Sequence, residues 1–125
     1  RYFDDWQDRR KQIRDYYLTR FYDLPIRCLS RDFEKHADQK FVIYTSERDE
    51  LFTYLAEAGI EVKIHYDRAL SELPIASTLK KPDIISTSVM LTRGVLSLPI
   101  YPELFDSEIE FIADKVLEFY QKKSD

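Results

Sequence analysis

Residues 48–66, RDELFTYLAEAGIEVKIHY, contain the turn on which the reading of the fold depends. Leu51 and Leu55 stand four apart, one face of a helix predicted over Glu47–Ala58. Ser46 stands where a hydroxyl can cap that helix, with Asp49 three residues on to complete a capping box. Gly59 then ends it, because glycine adopts the left-handed conformation of a helix terminus at little steric cost. Beyond the glycine, Ile60, Val62 and Ile64 alternate with Glu61, Lys63 and His65, the pattern of a half-buried strand.

Working outward, Lys40–Thr45 (KFVIYT) is β-branched and aromatic and reads as a strand, and Ile26–Leu29 as a short one. Residues 1–22 read as one long helix, its apolar stripe being Phe3, Trp6, Ile13, Tyr17 and Phe21, stopped before Pro25. Arg9, Arg10, Lys11 and Arg14, mixed with Asp4, Asp5, Asp8 and Asp15, fill its other faces and read as a solvated surface rather than an anion patch. On the other side, residues 67–82 are irregular. A weak helix follows over Asp83–Arg93, ended by Gly94, and then a short buried strand, Val95–Leu98, closed by Pro99. Asp106 is the expected cap of a last helix with the inner stripe Ile109, Ile112, Val116 and Phe119, and with Lys122 and Lys123 near its carboxyl end. Short connections between neighbouring strands predict an α+β fold. A small, mostly antiparallel sheet would carry helices on one face, led by the long N-terminal helix, in a single domain over 1–125.

Composition narrows the function. Across 125 residues, 44% are hydrophobic and 34% charged, with a formal net charge of −4, so a packed core is attainable and the basic excess of a nucleic-acid binder is missing. No apolar run approaches the roughly 20 residues of a membrane helix. One cysteine, Cys28, excludes an internal disulfide and a cysteine zinc site, and two histidines exclude a three-histidine metal site. Gly59 and Gly94 lie too far apart for a dinucleotide fingerprint or a phosphate-binding loop, both of which need clustered glycines.

Among single residues, His65 is the most suggestive. It stands near the carboxyl end of a strand, where loops build sites, with Tyr66 after it and Lys63 on the same side of the strand. The competing reading is a surface or capping histidine. His36 falls in a polar stretch and reads as solvated; Cys28 sits among apolar residues and reads as a small packed hydrophobe rather than a nucleophile. No GxSxG elbow is present, and none of the lysines has a local signature of covalent catalysis.

Three segments, in order, carry a resemblance. RDELFTYLAEAGIEVKIHY is similar to a helix–glycine–strand segment of the pyridoxal-phosphate-dependent sugar aminotransferases, the DegT/DnrJ/StrS family, with its Arg-Asp pair, Gly-Ile and "IHY" ending. GVLSLPIYPEL, Gly94–Leu104, resembles the family's LSLP signature, followed by an acidic helix start as in FDSEIEFI. The opening DDWQDRRKQIRDYY resembles the helix that begins the family's small carboxyl-terminal domain.

The resemblance implies that the chain is that small domain alone. The large domain would be absent here, and with it the catalytic lysine, the aspartate facing the pyridine nitrogen and most phosphate contacts. It implies no catalytic, cofactor-binding or metal-binding residue in this chain, and neither cofactor binding nor turnover by the chain alone. In the intact parent it implies pyridoxal phosphate, an amino group passing from glutamate to a keto-sugar nucleotide, a homodimer and a cytoplasmic setting. His65 matches the family histidine of the "HY" motif, beside the substrate pocket; Tyr66 and Lys63 join it as expected substrate-binding residues. After "HY", DRALSELPIAS lacks the second histidine and the "QP" pair common in the family, which leaves the acceptor open. A stand-alone, non-catalytic interaction or regulatory module on the same fold is the alternative.

Overall fold

The computed structural model of the chain describes residues 2–29, 39–65 and 86–125. The element order is α1 (Tyr2–Arg20), β1 (Arg27–Cys28), β2 (Phe41–Tyr44), α2 (Arg48–Glu57), α3 (Ser86–Gly94), β3 (Val95–Leu98) and α4 (Asp106–Ser124). The strands form one antiparallel sheet in the order β1-β2-β3. The predicted α+β class, antiparallel pairing and long leading helix are therefore what the chain adopts. Residues 66–85, with the whole of the predicted irregular stretch and the start of the weak helix expected over Asp83–Arg93, and His36 lie outside the described residues.

Strand pairing sorts side chains by face. Phe41 faces Leu98 and Ile43 faces Leu96, and all four are buried in one core with Ile13, Tyr17 and Phe21 of α1 and its C-terminal end, Leu51 and Leu55 of α2, and the Ile109–Val116 stripe of α4. Cys28 pairs with Ile43 and packs against the same core, where burial raises its thiol pKa, as suits a packed hydrophobe. The opposite face carries Val42 with Ser97, Tyr44 with Val95, and Arg27 beside Tyr44.

Helix α1 is held by packing more than by charge. Burying Ile13 and Phe21 contributes about 1.5–3 kcal/mol each. The Arg9–Asp106 and Arg20–Asp114 ion pairs are partly exposed and contribute about 0.2–1 kcal/mol apiece. The predicted stripe is correct from Ile13 onward only. Phe3 and Trp6 are 63% and 49% exposed, because the tie of α1 to the rest of the domain begins at Arg9, which donates to the Leu104 carbonyl. The solvated-face reading fails at Arg14. It lies three and seven residues before Tyr17 and Phe21, so it turns inward with them and is 2% exposed, its guanidinium bonded to Asp15.

Both predicted caps shift by one residue. Ser46 does not cap α2: the N-cap is Glu47, without a side-chain cap bond, and just before it the buried Thr45 Oγ1 accepts the Glu47 amide and is bonded to the Tyr120 hydroxyl at 2.7 Å. Asp106 is already the first residue of α4. The extended Phe105 precedes it, the Glu108 carboxylate accepts the Phe105 amide at 2.7 Å, and Asp106 is engaged by Arg9. At the other end of α2 the expectation holds in full. Gly59 has φ +82°, its amide donates to the Ala56 carbonyl, and the Ile60 amide donates to the Leu55 carbonyl. These are the paired bonds of a Schellman terminus, closed by apolar contact between buried Leu55 and Ile60 in one core.

Candidate functional site

The segment after Gly59 reaches the free edge of β3. Among the described residues it pairs there at one point: Ser97 donates its amide to the Lys63 carbonyl at 2.7 Å, and Lys63 returns the bond at 3.2 Å. The predicted strand through Ile60–His65 is thus a single bridge. The next pair toward one end would place Glu61 opposite Pro99, which has no N–H to give. Toward the other end His65 would meet Val95, whose carbonyl is engaged by the Arg48 guanidinium. Alternation still holds, since Ile60 and Val62 are buried and Lys63 is exposed.

This bridge brings Lys63 and His65 together at Ser97, on the face away from the core. His65 Nδ1 lies 2.9 Å from Ser97 Oγ, and Ser97 is 6% exposed. Lys40, two residues before Val42, shares that face by alternation. Burial first, and then the positive charges of Lys40 and Lys63, lower the pKa of the half-buried His65 ring. The imidazole is therefore neutral at pH 7, in a cationic setting, and can offer one donor and one acceptor nitrogen. Lys63 also pairs with Glu61 at 3.1 Å. Tyr66, the third predicted site residue, lies outside the described residues. Among the described residues no group of three or more histidine, cysteine or acidic side chains could hold a metal ion.

Two groups that sequence reasoning passed over build this place. Ser97 is the one polar residue in the wholly buried Val95–Leu98 run, and a buried polar side chain in a strand is a signal that it has a partner. Arg48 donates to the carbonyls of Thr92 and Val95, at 2.9 and 3.3 Å, and so fixes the entry of α3 into β3. Gly94 at that junction is required by space: a Cβ there would lie 2.8 Å from the Thr45 carbonyl oxygen and from the Tyr44 ring. Hollows of about 560 and 230 Å³ open beside Tyr120 and beside Pro99, and neither is lined by His65.

Comparison with known proteins places this arrangement among relatives. The model of the DegT/DnrJ/EryC1/StrS aminotransferase family matches residues 1–117. The chain is 28% identical, over 96% of its length, to a "Pleiotropic regulatory protein" of Geobacillus stearothermophilus. It is 31% identical, over 92% of its length, to the dTDP-3-amino-3,6-dideoxy-alpha-D-galactopyranose transaminase of Aneurinibacillus thermoaerophilus. It spans 34% and 32% of those two proteins. Among solved structures it superposes on DesV of Streptomyces venezuelae, described in complex with a ketimine intermediate, with a TM-score of 0.83 and 28% identity, covering 93% of this chain and 32% of that one.

Proposed function

The chain belongs to the DegT/DnrJ/EryC1/StrS aminotransferase family, and we propose that it is the substrate-side carboxyl-terminal domain of a pyridoxal-phosphate-dependent enzyme that moves an amino group from glutamate to a keto-sugar nucleotide. The observation that carries this reading is the extent of the match: more than nine tenths of this chain corresponds to about a third of a sugar transaminase. The remaining two thirds of such a protein are where the resemblance puts the catalytic lysine and the cofactor phosphate site. The cofactor, when bound there, supplies an electron sink for amino transfer.

This chain's part is to bind and orient the acceptor. Lys63, itself paired with Glu61, and Lys40 bring positive charge to the outer sheet face, which suits a nucleotide diphosphate, and the neutral His65 offers a directed hydrogen bond. Tyr66 follows His65 in sequence. The site is completed by the large domain, and by a second copy of the parent in a cytoplasmic homodimer. Alone, the chain neither holds pyridoxal phosphate nor turns over. The "regulatory" name of the Geobacillus relative favours a second reading, a non-catalytic interaction module. The coding sequence upstream of Arg1 separates the two. A lysine-bearing large domain whose product aminates a keto-sugar nucleotide supports the first, and an initiator codon directly before Arg1 supports the second.

A further inference from the structure

We propose that Ser97 is a positioning residue for His65: its buried hydroxyl donates to Nδ1 and holds the neutral imidazole in the tautomer that carries its proton on Nε2. This rests on the reading of His65 as a substrate contact and adds how that contact is set. The Ser97 main chain is committed to Lys63 in both directions. Its side chain is almost wholly withdrawn from water, so the hydroxyl hydrogen needs an acceptor inside the protein. Among the described residues, His65 Nδ1, at 2.9 Å, is the acceptor it has. The reverse arrangement, with Nδ1–H donating to Oγ, would leave the hydroxyl hydrogen buried without an acceptor, a costly state. A ring that accepts at Nδ1 is a donor at Nε2.

Two consequences follow for the chemistry. His65 meets its ligand as a hydrogen-bond donor, so the groups it suits are oxygens with lone pairs, a phosphate or a sugar hydroxyl. It does not act as a general base through Nε2, because that nitrogen already holds the proton. The positive charges of Lys40 and Lys63 disfavour a second ring proton and keep the donor single. Ser97 acts only through His65 and touches no reacting atom itself.

The test is the long-range proton–nitrogen spectrum of the uniformly nitrogen-15-labelled chain at a pH above the ring's titration, with the two imidazoles assigned by His36→Ala. The expected result is an Nε2–H tautomer for His65. Ser97→Ala is expected to move its nitrogen shifts away from the pure Nε2–H pattern and to raise its pKa, since a bond to the neutral form is lost. Ser97→Thr, which keeps a hydroxyl on the same atom, is expected to restore both. An Nδ1–H tautomer in the unaltered chain overturns the proposal, and that result needs no variant to fold. So does a Ser97→Ala spectrum and titration unchanged from the parent's. None of these measurements involves substrate. A failure here is therefore distinct from a failure of the substrate reading, which appears as unchanged kinetics in His65→Ala.

Discussion

The Tyr17 hydroxyl donates to the Pro99 carbonyl across 2.8 Å and so ties the last turn of α1 to the proline that closes β3. The ring itself is fully buried, stacked on Phe21 with centroids 5.5 Å apart and tilted against Phe41 at 5.0 Å. Burial pushes the phenol's pKa well above its ordinary value, so it stays a donor at any pH the fold survives. Tyr17→Phe keeps the ring packing and leaves the Pro99 carbonyl without its partner. It is expected to lower stability by about 1–2 kcal/mol, read as an earlier urea midpoint with an unchanged slope. An unchanged midpoint would mean that water replaces the bond without cost.

The two glycines are constrained for different reasons, and alanine separates them. At Gly59 a Cβ meets nothing within 4 Å, but φ is +82°, so Gly59→Ala costs about 1 kcal/mol of backbone strain alone. At Gly94 the added carbon runs into the Tyr44 ring and the Thr45 carbonyl, the latter a backbone atom fixed by its place at the end of β2. Gly94→Ala is expected to cost about 1–3 kcal/mol by overpacking and to shift the amide resonances of Tyr44 and Thr45. Equal melting temperatures for the two variants would contradict this distinction.

Acid is expected to weaken the fold in two separate windows. The unfolded His65 ring takes up its proton near pH 6.5, and the folded ring resists it. Below about 6.5 the unfolded state therefore binds more protons, and stability falls as the pH drops through that value. His65→Ala removes this first loss. In the second window, hydrogen bonds from Lys122, then Lys115 and Tyr54, hold the Glu118 carboxyl at about 2 against an ordinary 4.5. Its contribution is present above 4.5 and is lost as the pH falls toward 2. The pair is exposed, so salt reduces this second loss. Thermal melts between pH 2 and 8, with and without added salt, resolve both windows.

Pyridoxal phosphate mixed with the chain and then dialysed is expected to leave no visible absorbance at one equivalent, because the groups that hold it are assigned to the large domain. A band that survives dialysis at one cofactor per chain would sink that division of labour.

What could be read from sequence was whatever depends on local chemistry. Gly59 was legible because a helix terminus asks for a left-handed residue, and the stripe of α4, Ile109 to Phe119, because its period is helical over about three turns. What escaped depends on partners far along the chain. Ser46 reads as the cap of α2, yet the helix starts one residue later, behind a Thr45 that is buried against Tyr120, 75 residues away. The strand after Gly59 shrinks to one bridge because of Pro99 and Arg48, neither of them part of its own pattern. His65 was singled out by its place at a strand end. Ser97 was not, because nothing near it in sequence says that Lys63 and His65 come to lie beside it.

The central claim is that this domain binds the amino acceptor through His65, and steady-state kinetics of the longer protein test it most directly. The enzyme, with the sequence upstream of Arg1 included, is expected to aminate a keto-sugar nucleotide with glutamate. His65→Ala is expected to lower kcat/KM by roughly 10- to 100-fold, the loss of one hydrogen bond to a charged or hydroxylated ligand. The absorbance of the bound cofactor should stay unchanged, because its contacts lie elsewhere. A longer protein without transaminase activity, or a His65→Ala enzyme with parental kcat/KM, would contradict the account.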